Sequence, residues 1–250
     1  MDLSQFWAGA SDWHGQPFVL FGEVHLTAIL IEVLLIVLMA LFRNKISSRW
    51  DTFFRYLMAT ILIVNEILWH VWNISHGTWT IQTMLPLHVC SILVWANAYM
   101  LITRNRTIFE FAYLLGIATA LQAFLTPDAG IFGFPHLRFF QVILSHGTII
   151  LSGFYMLFVG GLRPTWHSVK KVLLFGNLYA LAVFVFNLLS GSNYMFLAHK
   201  LDTTSLLDLL PPWPIYLLYI EGLGIFFILL FFAPFVLYDW QQLHRKKAVE

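Results

Sequence analysis

Residues 24–42 read VHLTAILIEVLLIVLMALF, and this stretch decides the class of fold. A helix needs about 20 mostly apolar residues to cross the hydrocarbon core of a bilayer. Because backbone groups inside lipid must be satisfied within their own segment, helices are favoured over strands. Six further stretches of the same kind follow. The predicted spans are 24–42, 56–74, 84–102, 108–126, 140–161, 172–190 and 215–237.

The composition of the whole chain agrees with this interpretation. Of its 250 residues, 59% are hydrophobic and 11% are charged, whereas soluble domains carry roughly 45–50% apolar and about 25% charged residues. The formal net charge of +1 gives no electrostatic reason to expect nucleic acid as a partner. The single cysteine excludes an intrachain disulfide. We therefore predict an all-α integral membrane protein in which residues 1–250 form one domain, a bundle of seven transmembrane helices.

Lysine and arginine are distributed unevenly between the predicted loops. Twelve lie after spans one, three, five and seven, whereas only Arg138 and Lys200 lie on the other side. Positively charged residues accumulate in cytoplasmic loops. The pattern predicts that the N-terminus lies outside the cell and the C-terminus in the cytoplasm.

Several polar side chains lie near the outer ends of the predicted spans. Cys90, His146 and Glu221 all lie six residues from the outer end of their spans, a depth on the order of 9 Å. Glu66 and His70 lie eight and four residues in. Burying such groups in lipid is costly, so they usually mark a functional site or interhelical hydrogen bonds.

Cys90 and His146 form a candidate nucleophile–base pair at matched depth. Cys90 follows Pro86, which suits the first turn of a helix, and we expect the thiol just past that turn, where the helix dipole favours a thiolate. An imidazole can accept the thiol proton. A lone cysteine in a membrane span is more often a packing residue, and a lone histidine more often an interhelical bond. Both interpretations stay open at this point.

Other polar residues are candidates for supporting roles. Glu66 and His70 share a helix face, so they form either a structural pair or part of the site. His88 is a poor base for Cys90, because residues two apart in a helix point to nearly opposite faces. Oxyanion donors are expected from Asn193, Gln141 or the amides that follow Pro86. The supporting set is Glu66, His70, His88, Gln122, Gln141, Asn193 and Glu221.

Four short motifs resemble those of a known family. PLHVC at 86–90 and FFQVILSH at 139–146 begin predicted spans, while NYMFL at 193–197 and SLLDLLPPWP at 205–214 lie in the last outer loop. Together they resemble the YwaF-type bacterial integral membrane proteins, which are similar to the animal acyltransferase called transmembrane protein 164. The resemblance implies a multi-pass protein of the bacterial cytoplasmic membrane. It also implies transfer of a fatty acyl chain between phospholipid and lysophospholipid, with Cys90 and His146 as the reacting residues.

The leading hypothesis is therefore a Cys/His acyltransferase that needs no metal or cofactor. A lipid ester hydrolase at the same site and a small-molecule transporter are the alternatives. Transport is less favoured because the polar residues crowd into one half of the membrane, away from the midplane. A retinal protein would need a lysine in the last span, and a ceramidase-like zinc enzyme a histidine pair there; 215–237 contains neither. Haem held by His70 and His146 has no further histidine pair to support it. We also expect loop 191–214 to fold over the site.

Overall fold

The computed structural model describes residues 3–200 and 206–247, and these ranges contain helices and turns but no strand. This confirms the all-helical prediction. The long helices each match one predicted span in order. They are α1 (Glu23–Phe42), α2 (Ser48–Ser75), α3 (Val89–Thr103), α4 (Arg106–Leu125), α5 (Leu137–Phe158), α6 (Trp166–Ser190) and α7 (Ile215–Lys247).

Six of these helices are long and apolar enough to cross a membrane. The exception is α3, whose 15 apolar residues extend only about 22 Å at a rise of 1.5 Å per residue. The chain is thus a multi-pass helical membrane protein. We call the end of the bundle at which α3, α5 and α7 begin the outer end, after the predicted orientation, and the opposite end the inner end.

The start of α3 differs from the sequence prediction. The third span was expected to begin at residue 84, but α3 begins at Val89, and residues 81–88 form turns. The amide of Leu85 donates to the Tyr194 hydroxyl at 2.8 Å, so its donor is satisfied outside a helix. Pro86 disfavours a helical conformation in the residue before it. As a consequence Cys90 lies within the first turn of α3, and not just past it as predicted.

The helices that carry the two predicted reacting residues lie at the centre of the bundle. In the most apolar segment of α5, 61% of the residues are buried. In the corresponding segments of α1 and α7 only 11% are buried, so these two helices lie at the periphery. Helix α3 packs mainly against α2 and α4, and also contacts α5. Fully buried side chains between these helices include Leu62, Met100, Leu101, Phe109, Ile117 and Ile149.

Helix α4 contains a widened turn. Residues Ala112–Gly116 adopt π-helical geometry before the α-helix resumes at Ile117. Such segments are rare and often occur at functional sites. The hydroxyl of Thr119 donates to the carbonyls of Leu115 at 3.1 Å and Gly116 at 3.2 Å, which satisfies acceptors at the end of this segment.

A buried ionic network joins three helices near the inner end. The carboxylate of Asp51 on α2 accepts from Arg55 at 3.2 Å, from Tyr155 at 3.1 Å and also from Arg104. Arg55 additionally donates to the carbonyl of Leu101 at 2.5 Å. Each charged group has partners, so we interpret the network as structural.

The loop after α6 is held firmly against the start of α3. Tyr194 is fully buried, and its backbone exchanges two 2.9 Å hydrogen bonds with the Asn187 side chain. Its hydroxyl donates to the carbonyl of Ile81 at 2.7 Å. Residues 191–200 therefore cover the outer end of α3, as expected for this loop; residues 201–205, including Asp202, lie outside the described residues.

Candidate active site

Cys90 is the second residue of α3 and is partly buried. The side chain of Thr119 on α4 lies next to its thiol. The hydroxyl proton of Thr119 is donated to backbone carbonyls of its own helix. Thr119 is therefore a polar neighbour of the thiol that is itself held in place by α4.

His146 lies in the third turn of α5 and is the tenth residue of that helix. Its Nδ1 is 2.8 Å from the carbonyl oxygen of Val142. Because a carbonyl oxygen can only accept, Nδ1 carries a proton in this contact. In the neutral imidazole Nε2 is then a free acceptor, which is the state that a general base requires.

A contact layer joins the three central helices just below these residues. Gly116 on α4 lies against Leu93 on α3 and Ile149 on α5. A Cβ atom built on this glycine would be 3.2 Å from Leu93 Cδ1 and 3.7 Å from Ile149 Cγ2. The absence of a side chain at this position lets α4 approach both neighbours closely.

One turn nearer the outer end, the same helices present Cys90, Thr119 and His146. Each lies three residues along the chain from its counterpart in the layer below, and residues three apart share a helix face. The thiol, the hydroxyl and the imidazole therefore belong to one layer across α3, α4 and α5. No hydrogen bond joins the thiol to the imidazole, whose Nδ1 is bonded to the Val142 carbonyl. Catalytic hydrogen bonds are often loose before substrate binds.

A cleft of about 410 Å³ adjoins this layer between α3, α4, α6 and α7. Thr119 lines it, and so do Val89 and Leu93, which flank Cys90 on α3. Apart from four residues its walls are aliphatic, Met, Phe or Gly; the four are Thr119, Asn177, Tyr179 and Glu221. A cavity of this size and lining suits an apolar chain.

Glu221 lies in the cleft and not beside Cys90. Its carboxylate accepts from the Asn177 amide on α6 at 2.9 Å, and it lines the apolar walls described above. Glu221 was predicted as a supporting residue. It lies at the cleft, where its carboxylate can contact a bound molecule away from the thiol.

Glu66 and His70 form the contact that their spacing predicts, at 3.5 Å between Oε1 and Nε2. Trp79 donates to the other nitrogen of His70 at 3.0 Å. Arg138 lies 4.5 Å over the Trp69 ring and donates to Gln141 Oε1 at 2.6 Å. This cluster links α2 to the start of α5, and the Gln141 oxygen is occupied there.

Two other residues of the predicted supporting set lie away from the thiol. Gln122 is exposed on α4. Asn193 holds its own loop: its Oδ1 accepts from the amides of Ala198 at 3.1 Å and His199 at 3.2 Å. Its Nδ2 donates to the carbonyl of His199 at 2.8 Å. With these commitments Asn193 is a poor oxyanion donor.

Sequence reasoning missed two polar residues near the site. Thr119 gives no signal beyond its depth, because a single hydroxyl is common in apolar spans. Glu32 is a stronger omission, since an acidic residue in the middle of the first span is itself unusual. It is buried, and its Oε2 would lie 3.0 Å from a Cβ at Gly147, the neighbour of His146. Its Oε1 has no hydrogen-bond partner among the described residues.

No cluster of three or more His, Cys, Asp or Glu side chains that could hold a metal ion occurs within residues 3–200 and 206–247. The amides at the start of α3 offer a different kind of electrophilic group. No side chain of the described residues caps this helix, so the donors of its first turn are available to an oxygen atom near Cys90.

Comparison with known proteins identifies the family. A search of curated proteins and of solved structures found no significant match. The family model of the TMEM164 family, in contrast, matches residues 20–232. This region contains Cys90, His146 and the helices that carry them, and it confirms the resemblance seen in the motifs. The chain therefore belongs to the TMEM164 family.

Proposed function

We propose that the protein is a membrane acyltransferase that moves a fatty acyl chain from a phospholipid to a lysophospholipid through a thioester on Cys90. One observation carries this proposal: a thiol at the start of a helix shares a layer with an imidazole whose Nε2 is free, next to an apolar cleft. The cleft would hold the acyl chain and present its ester to the thiol.

The first half-reaction forms the thioester. When substrate enters, the S–H of Cys90 turns toward His146, and Nε2 takes its proton. The thiolate attacks the ester carbonyl, and the amides of the first turn of α3 stabilise the oxyanion. As the tetrahedral intermediate collapses, the C–O bond breaks and His146 gives its proton to the departing alkoxide. The product that leaves is a lysophospholipid.

The second half-reaction returns the enzyme to its starting state. The hydroxyl of an acceptor lysophospholipid attacks the thioester carbonyl while His146 Nε2 takes its proton. The C–S bond then breaks, and His146 returns the proton to the Cys90 sulfur. If water attacks in place of the lysophospholipid, the same residues release a free fatty acid, which is the hydrolase alternative.

The small-molecule transporter is the second alternative. The composition of the cleft favours a lipid chain over a small polar solute, because only four of its lining residues are polar.

A seven-span topology with the active site in the outer leaflet completes the proposal. Helix α3 packs against α2, α4 and α5, and the turns at 81–88 extend it toward the outer end. Basic residues number twelve toward the inner end and two toward the outer end, which favours a cytoplasmic C-terminus in a bacterial cytoplasmic membrane. A reporter fused at residue 250 should be active only in the cytoplasm; a periplasmic signal would overturn the orientation.

The function itself is tested with a phospholipid that carries a labelled acyl chain. Purified protein in liposomes receives this donor together with an unlabelled lysophospholipid, and the lipid products are separated. Label in the newly formed phospholipid supports acyl transfer, whereas label in free fatty acid selects the hydrolase. The matched control is Cys90→Ala with an unchanged unfolding temperature. No movement of label by folded wild-type protein would contradict both activities.

A further inference from the structure

A second cavity, of about 330 Å³, lies at the outer end beyond the start of α3. We call it the polar pocket. Its walls combine the turn before α3 with the loop after α6, and they carry amide, hydroxyl and imidazole groups. These groups belong to Gln82, Thr83, His88, Ser192, Asn193 and His199.

A hydrogen bond from the backbone determines which ring nitrogen of His88 carries the proton. The amide of Met195 donates to His88 Nδ1 at 3.2 Å. Because an N–H needs an acceptor, Nδ1 is unprotonated, and the neutral ring must carry its proton on Nε2. This Nε2–H has no partner among the described residues. His88 also packs against the rings of Tyr194 and Phe196, at 5.2 Å and 5.4 Å between centroids, so its orientation is set.

The polar pocket and the apolar cleft adjoin each other at two places, where consecutive residues line one cavity each. On α3, His88 lines the pocket while the next residue, Val89, lines the cleft. On the loop, Phe196 lines the pocket while Met195 lines the cleft. Cys90 is the residue after Val89 in the chain. A molecule that occupied both cavities would cross the start of α3 with its polar part on one side and its apolar part on the other.

The chemistry of the pocket favours an anionic ligand. No carboxylate occurs among the described residues that line it, whereas His88 offers a free Nε2–H donor. A phosphodiester presents several acceptor oxygens and a negative charge, and hydrogen bonds to charged acceptors are the stronger ones.

We propose that the polar pocket binds the phosphate of the glycerophospholipid substrate, with His88 Nε2–H donating to a phosphate oxygen. The inference rests on the proposed function in one respect, namely that the acyl chain of the same lipid occupies the cleft. It assigns His88 to substrate binding and leaves the chemistry to Cys90 and His146.

The test measures binding alone, with lipids that cannot react. A diether phospholipid has no ester to cleave, and a dialkylglycerol with the same chains lacks the phosphate. Full-length protein in detergent should bind the diether phospholipid at least about tenfold more tightly than the dialkylglycerol, a difference of about 1.4 kcal/mol. Cys90→Ala should keep this preference, so a failure of the catalytic proposal is seen separately.

Two substitutions of His88 separate its two nitrogens. His88→Asn keeps an acceptor near Nδ1 for the Met195 amide but loses the donor at Nε2, whereas His88→Gln places an amide donor near Nε2. We expect His88→Asn to abolish the phosphate preference and His88→Gln to retain part of it. The matched control is His244→Asn, an exposed histidine near the end of α7, which should bind like the wild type. Unfolding temperatures check that all variants are folded.

Three results would overturn the assignment. One is equal affinity of the wild type for the two lipids. Another is an unchanged preference in folded His88→Asn. The third is inorganic phosphate that binds as tightly as the diether phospholipid in a manner dependent on His88, since this would assign the pocket to a free phosphate.

Discussion

The outer and inner ends of the bundle both contain buried polar groups, but they use them differently. At the inner end, Asp51 is bonded to two arginines and a tyrosine, and Lys171 lies 2.6 Å from Glu110. At the outer end, the Nε2 atoms of His146 and His88 have no partner among the described residues. These two nitrogen atoms stay open to a ligand, whereas the charged groups at the inner end are saturated by one another. The comparison suggests that the inner end stabilises the fold and that the outer end is reserved for a ligand.

The largest effect is expected from the reacting pair at the outer end. Cys90→Ala, His146→Ala and the double variant should each lose acyl transfer by similar factors, on the order of 10²–10⁴, because groups that act as a unit are not additive. Cys90→Ser should also be strongly impaired, since a serine hydroxyl is far less ionised near neutral pH. The measurement is label transfer in liposomes. Losses that multiply in the double variant would show that the two residues act independently.

At the inner end the same kind of substitution should affect stability. Asp51→Ala leaves the buried Arg55 without its carboxylate, and removing one partner of a buried ion pair costs about 3–5 kcal/mol. The control is Asp239→Ala, which breaks an exposed pair with Arg163 at 2.5 Å and should cost no more than about 1 kcal/mol. Equilibrium unfolding in detergent compares the two. Equal, small effects would mean that the inner network is not structural.

Close packing between the two ends gives a third, smaller effect. A Cβ at Gly153 on α5 would lie 2.9 Å from Ile117 Cδ1, whereas one at Gly222 on α7 would meet nothing within 4 Å. Gly153→Ala should therefore destabilise the protein by about 1–3 kcal/mol through overpacking. Gly222→Ala should change the free energy of unfolding by less than about 1 kcal/mol. If α5 were not packed tightly against α4, Gly153→Ala would not be more destabilising than Gly222→Ala.

Thr119 differs from the histidines toward the outer end, because its hydroxyl proton is already donated to backbone carbonyls of α4. Thr119→Val removes the hydroxyl next to the Cys90 thiol while keeping a similar shape, so acyl transfer should fall by about tenfold, or about 1.4 kcal/mol. Thr119→Ser keeps the hydroxyl and should retain most of the activity. Unfolding temperatures report whether either variant perturbs the fold. Full activity in Thr119→Val would remove this residue from the account.

The sequence was sufficient to predict the helices but not the depth of Cys90 and His146. Each was expected six residues from the outer end of its span, whereas Cys90 is the second residue of α3 and His146 the tenth residue of α5. Length and hydropathy indicate a span, but counting from its ends gives a depth only if those ends are known. Counting did not give the start of α3, because the Leu85 amide is satisfied by Tyr194, which is 109 residues away in the sequence. Thr119 and the inner network were missed for a related reason, since the rotation of each helix about its axis depends on packing between helices.

The most direct test of the central claim is detection of the thioester itself. The chain contains one cysteine, so a hydroxylamine-sensitive acyl group on the protein must be attached to Cys90. Wild-type protein is incubated with a labelled-acyl phospholipid without acceptor, quenched in acid and analysed by intact-protein mass spectrometry. We predict a mass increase of one acyl group that hydroxylamine removes, that is absent in Cys90→Ala, and that disappears when lysophospholipid is added before the quench. Acyl transfer by the wild type with no such adduct, together with full activity in folded Cys90→Ala, would contradict the account.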